Sequence, residues 1–222
     1  MSTRQEILDQ IRQEAIIGVV REENEADAEA LATAYADGGL RIIEITFTTP
    51  HALALITRLV DLYSPIGVTI AAGTVRSAED AAEALNAGAG VLVSPHTDQG
   101  VISYALDHDV VCIAGASTPT EIIHAWEAGA SIVKVYPARH LGGPDYIRTI
   151  RQPIRNITML AGGPVEIDEI DAYLSSGAVA VNMGGAFTAP DLVRSKNWEE
   201  IARRIAAARG VVESRVPDTI SL

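Results

Sequence analysis

The chain has 222 residues, 48% of them hydrophobic, which is enough to bury a full core and still form one domain over residues 1–222. Its net charge is −12, with 17 Lys and Arg against 29 Asp and Glu and no basic cluster, which argues against a nucleic-acid or anionic-membrane surface. No apolar run reaches the roughly 18 residues of a membrane helix, MSTRQEILDQ is too polar for a signal peptide, and Cys112 has no disulfide partner, so a cytoplasmic setting is expected.

In chain order, residues 3–14 read as an amphipathic helix with Ser2 or Thr3 as its N-cap, within an N-terminal segment 1–15. Strand-like runs follow at Ile16–Val20, Arg41–Phe47, Val68–Ala72, Gly90–Val93, Val110–Ala114, Ser131–Tyr136, Ile157–Leu160 and Ala178–Asn182. Between them lie helical segments such as HALALITRLVDLY and TPTEIIHAWEAG, several closed by a glycine at 38, 88, 129 or 177. Strands alternating with helices imply right-handed crossovers and a parallel sheet. Eight such units close an α/β TIM (β/α)8 barrel, here preceded by a helix. A doubly wound open sheet is the alternative, although no GxGxxG follows the first strand. The last helix is expected over Trp198–Arg209, and residues 210–222 read as a tail in a loop or against a partner.

In such a barrel the chemistry gathers where strands end, at their C-terminal side. Arg21 follows the first strand. In RIIEITFTTP, Ile43 and Ile45 suit packing under helices, which turns Ile42, Glu44 and Thr46 into the barrel. Thr74 closes the third strand, and Pro95 and His96 the fourth. The sixth, SIVKVYPA, carries Lys134 on the face of Ile132 and Tyr136, opposite Val133 and Val135. Lysine is rarely buried, because its ammonium is costly to remove from water. One reading has Lys134 snorkelling or ion-paired; the other has it held neutral, so that its amine can attack a carbonyl. Glu44 is either a structural ion-pair partner of Arg21 or Lys134, or a proton carrier. Gly162-Gly163 and Gly184-Gly185, after the seventh and eighth strands, are either simple turns or backbone donors to a phosphate.

No histidine has a partner at zinc-type spacing, so no metal site is expected. Cys112 reads as core, and EIDEID (residues 166–171) as a solvated helix start. An inward lysine, an inward carboxylate and a rim arginine together suit a 2-oxo acid. The amine condenses with the keto group, the iminium takes up the electrons of a neighbouring C–C bond, the carboxylate moves protons, and Arg21 grips the substrate carboxylate.

IIEITFTTP, AAGTV, VSPH, VKVYPA and the paired AGGP and MGGAF resemble, in order and spacing, the KDPG/KHG aldolase family, over roughly Ile16 to Pro190. These are the class I 2-keto-3-deoxy-6-phosphogluconate and 4-hydroxy-2-oxoglutarate aldolases of carbohydrate metabolism, the Entner–Doudoroff route included. The resemblance implies a homotrimeric barrel that needs no metal or other cofactor beyond a covalent imine on Lys134, and that releases pyruvate plus an aldehyde. It makes Lys134 the Schiff-base residue and Glu44 the acid–base residue, with Thr74 and Pro95 lining the pyruvate pocket. Thr48 stands where many members carry an arginine for the substrate carboxylate, a task Arg21 takes over here. Gly162, Gly163, Gly184 and Gly185 would hold phosphate. Ala161 and Ala186 replace a threonine and a serine, removing hydroxyls from the substrate and phosphate sides. The expected activity is therefore aldol cleavage of a 2-keto-3-deoxy sugar acid. Its rivals are the same chemistry on an unphosphorylated 2-oxo acid such as 4-hydroxy-2-oxoglutarate, and a barrel that only binds a phosphorylated metabolite.

Overall fold

The structure, a computed structural model, describes residues 2–215. Its N-terminal helix α1 (Arg4–Glu14) opens on a capping box: the Thr3 hydroxyl accepts from the Glu6 N–H, and the Glu6 carboxylate accepts from the Thr3 N–H. Eight βα units follow, beginning with β1 (Ile16–Val20), α2 (Glu25–Asp37), β2 (Ile42–Thr46), α3 (Ala52–Tyr63), β3 (Thr69–Gly73) and α4 (Ala78–Asn86). The chain continues through β4 (Val91–Val93), α5 (Gln99–Asp107), β5 (Val111–Ala116), α6 (Pro119–Glu127), β6 (Ile132–Val135) and α7 (Gly143–Arg151). It ends with β7 (Met159–Gly162), α8 (Ile170–Ser175), β8 (Val181–Met183), the short helices α9 (Gly185–Thr188) and α10 (Pro190–Arg194), and α11 (Trp198–Glu213). Each strand pairs in parallel with its sequence neighbours, and β8 pairs back with β1, Ile17 opposite Asn182. The barrel is closed, so the open-sheet alternative falls away.

Side-chain alternation splits the core in two. Ile43, Ile45, Val133, Val135, Val181 and Met183 point outward into the layer under the helices. Ile17, Ile42, Ala71, Val91, Val111, Ile132 and Leu160 point inward and fill the barrel. Ile7, Leu8 and Ile11 of α1 join this inner group, and α1 is pinned across the strand starts. There the Arg4 guanidinium donates to the Ser131 hydroxyl (3.0 Å), and the Thr69 hydroxyl donates to Gln10 (2.6 Å). The helix is thus the floor of the barrel.

Several expected boundaries move. The chain beyond Gly210 continues α11 as far as Glu213 instead of leaving it as a tail, since Val211 and Val212 still pack on the outer core; residues 216–222 of the expected tail lie outside the described residues, as does Met1. Strands β3, β5 and β7 end at Gly73, Ala116 and Gly162, one or two residues beyond the expected Ala72, Ala114 and Leu160. At the C-terminus of α2 the left-handed conformation falls on Gly39 (φ +94°), one residue later than the expected Gly38.

Ile11 is fully buried at the floor. Ile11→Ala should lower the unfolding free energy by roughly 2–5 kcal/mol, as expected for a large core aliphatic cut to Ala, read by urea denaturation.

Candidate active site

Lys134 lies inside the barrel near its C-terminal mouth, 7% exposed. Its alkyl chain runs across Gly162 of β7, where a Cβ would overlap it, and its Nζ sits 5.5 Å from the centre of the Tyr136 ring. Burial holds its amine below the ordinary lysine value of 10.5; Glu44 acts to raise it and Arg21 lowers it further. Both groups are therefore close enough for their charges to be felt at Nζ.

Glu44 points inward from β2 and is 2% exposed. One carboxylate oxygen accepts from Asn182 Nδ2 of β8 at 2.8 Å, and the other lies over Gly73 of β3, where a Cβ would overlap it. A third inward glycine, Gly115 of β5, faces the Pro95 backbone closely enough to leave no room for a methyl. The pattern follows from barrel layering, in which side chains at one height come from alternate strands. The even strands β2, β6 and β8 supply Glu44, Lys134 and Asn182 to the interior, while the odd strands β3, β5 and β7 each place a glycine among their inward positions.

The rim is held by threonines. Thr46 is fully buried; its hydroxyl donates to the Val20 carbonyl (3.1 Å) and accepts from the hydroxyls of Thr48 (3.0 Å) and Thr49 (3.4 Å). Arg21 donates through Nη1 to the Thr48 hydroxyl (2.8 Å) and through Nη2 to the Thr74 hydroxyl (3.3 Å). The guanidinium at the end of β1 is thereby tied to the loops after β2 and β3, and Thr74 adopts a left-handed backbone (φ +60°) to reach it. The result is a desolvated amine with a carboxylate and a fixed guanidinium nearby, which together can bind an oxo acid covalently and move its protons.

An open groove of about 710 Å³ lies elsewhere, between α2 and α11, and Ala26, Ala30, Ala34 and Ala202 line much of it. It contains none of these groups. No set of three or more His, Cys, Asp or Glu among the described residues is arranged to hold a metal ion, and no helix there is long and apolar enough to cross a membrane. Cys112 is buried, its thiol pushed up to about 12, and serves as core.

A sequence model of the KDPG and KHG aldolases matches residues 7–204. The chain belongs to this family. The aldolase is 30% identical to the 2-dehydro-3-deoxy-phosphogluconate aldolase of Haemophilus influenzae, over 95% of this chain and 99% of that protein. It is 34% identical to the enzyme of the same name from Treponema pallidum, over 86% of this chain and 88% of that one. The KDPG aldolase of Legionella pneumophila shares its fold, with a TM-score of 0.82 at 22% identity over 90% and 97% of the two chains. As an aldolase the chain is a lyase.

Lys134, Glu44, Arg21, Thr48 and Thr74 are brought together by the fold, and half-buried Pro95 stands beside β5 at the same end. Two expectations need correction. Ala161 is fully buried in the outer layer with Val135 and Val181, because the strand alternates and Leu160 and Gly162 take the inward positions. Its methyl therefore faces the helices, away from any substrate. Gly162 is buried beneath Lys134 and gives clearance to the lysine instead of exposing an amide to phosphate. Gly163 beside Pro137, and Gly184 and Gly185 at the start of α9, remain at the mouth. Sequence reasoning passed over Asn182, an amide in the apolar run VAVNM, and Gly73 and Gly115, glycines inside strand-like runs.

Lys134 also sets a pH dependence of stability. Between its depressed value and 10.5 the unfolded chain holds a proton that the folded chain has released, so this residue makes stability rise with pH through that window. Lys134→Met removes the contribution. The stability of the wild type minus that of the variant should increase from about pH 7 to about pH 10, read by denaturant unfolding at both.

Proposed function

We propose that the chain is a class I aldolase that cleaves 2-keto-3-deoxy-6-phosphogluconate, or a close 2-keto-3-deoxy sugar acid, to pyruvate and an aldehyde, glyceraldehyde 3-phosphate for the phosphorylated substrate. The observation that carries the reading is a buried lysine whose amine burial keeps below its ordinary pKa, beside a buried carboxylate. The names of the Haemophilus and Treponema relatives support the substrate class. Lys134 Nζ attacks C2, water leaves, and an iminium forms. Glu44, directly or through one water, takes the C4 hydroxyl proton as the C3–C4 bond breaks and its electrons pass into the iminium. The aldehyde departs, the enamine is protonated at C3, and water releases pyruvate. Arg21 holds the C1 carboxylate, with Thr48 and Thr74 holding Arg21. Pro95 lines the pyruvate side, and Gly163, Gly184 and Gly185 meet the phosphate, the first N–H groups of α9 having no acceptor within the helix.

The proposal includes a homotrimer needing no metal or organic cofactor, on the strength of the family resemblance, in the cytoplasmic setting expected from the sequence. A barrel that merely binds its ligand has no use for a desolvated lysine, which costs stability below its ordinary pKa. The unphosphorylated 2-oxo acid remains a second reading, favoured by Ala186 at the start of α9, which offers no hydroxyl to a phosphate.

Borohydride reduction in the presence of pyruvate, followed by peptide mass mapping, should place a pyruvyl adduct on Lys134. Lys134→Ala should lose both adduct and turnover, while Glu44→Gln should keep the adduct and lose about 10²–10⁴-fold in kcat. An unlabelled wild type in excess pyruvate would reject the imine.

Ala186→Ser should lower KM for a phosphorylated substrate by roughly ten-fold or more, since a hydrogen bond to a charged group is worth about 1.5–3 kcal/mol. Steady-state kinetics on the phosphorylated and free acids checks this; an unchanged KM would mean that the position does not meet phosphate.

A further inference from the structure

Asn182 is an amide in the middle of β8, a strand whose other members are Val181 and Met183. Asparagine is depleted in strands, and a buried amide is costly unless it is hydrogen-bonded. Its side chain is 3% exposed, and alternation turns it inward with Ala180, while Val181 and Met183 face the helices. Its register is level with Gly162 of β7 and Ile17 of β1.

The partner is Glu44, 138 residues away, at 2.8 Å from Nδ2. The bond spans the barrel above β1, because β8 and β2 are both neighbours of β1 and not of each other. A carboxylate has no proton to give, so the amide must turn its nitrogen toward it, and the direction of the bond follows from the chemistry. One oxygen of Glu44 is thus occupied while the other lies over the bare Cα of Gly73. With both sides of the carboxylate accounted for, its plane is fixed.

We infer that Asn182 is a positioning residue: by occupying one oxygen of Glu44 it holds the carboxylate over Gly73 and aims the other oxygen at the substrate proton. The inference rests on the acid–base reading of Glu44 given above. Asn182 touches no reacting atom, and its whole effect passes through Glu44.

The test is a double-mutant cycle on the full-length protein. Asn182→Leu removes the donor at similar volume, and Asn182→Ala removes it with less bulk, so that one of the two folds if the other does not; circular dichroism and thermal unfolding report which. In the folded variant, kcat should fall by about 10²-fold, the size expected when a reacting group is displaced by ~1 Å. KM should change little, and borohydride should still trap pyruvate on Lys134. In a Glu44→Ala background the same substitution should cost nothing further. Unchanged kcat in a folded Asn182 variant, or an equal loss with and without Glu44, would overturn the positioning role. Glu44→Ala alone separates the two readings. If it leaves turnover intact, the acid–base role fails and the inference fails with it; if it abolishes turnover while Asn182 variants are silent, only the inference fails.

Discussion

The architecture turns on one unfavourable act, the removal of a lysine ammonium from water. An ammonium loses far more solvation on burial than a hydrocarbon gains, and Lys134 is nearly enclosed. The barrel tolerates this because its strands are locked on both sides by neighbours and its floor is sealed by α1, which leaves the interior near the mouth as the only place where the penalty is felt. In the proposed mechanism the penalty is also the source of reactivity: the same desolvation that opposes the cation favours the free amine, the form with a lone pair to share.

Housing that amine requires space as well as dryness. A barrel of eight strands is filled by its own side chains, so a long lysine and a glutamate fit at one height only if their neighbours yield. Gly73 and Gly162 yield, each lying flat under one of the two functional side chains. The threonine network around Thr46 performs the complementary task at the rim, fixing the arginine that the floor and walls cannot reach. Rigidity here comes from hydrogen bonds each worth only about 1 kcal/mol, which suffices because they link strands already held by the sheet.

Much of this was legible in the residues. The alternation in RIIEIT and SIVKV set Glu44 and Lys134 inward, and eight βα units predicted the closed barrel that is found. The losses have a common cause. Glycine carries two messages, a turn or a close approach, and local sequence does not distinguish them; the side chain that crosses Gly73 comes from β2, and the one that crosses Gly162 from β6. Asn182 was missed for a related reason, since its partner is 138 residues away and nothing local announces it. Ala161 was misassigned by following motif order without applying to β7 the alternation used for β2 and β6.

The floor has one more consequence. With Ile7, Leu8 and Ile11 packed across the strand starts, the barrel is filled at that end. Under the proposed imine mechanism, the fragment bonded to Lys134 would lie deeper than the fragment cut from it. Departure would then be ordered, the aldehyde clearing the mouth first and the pyruvate last. In the synthetic direction the queue would reverse, with pyruvate seated before an aldehyde finds its place.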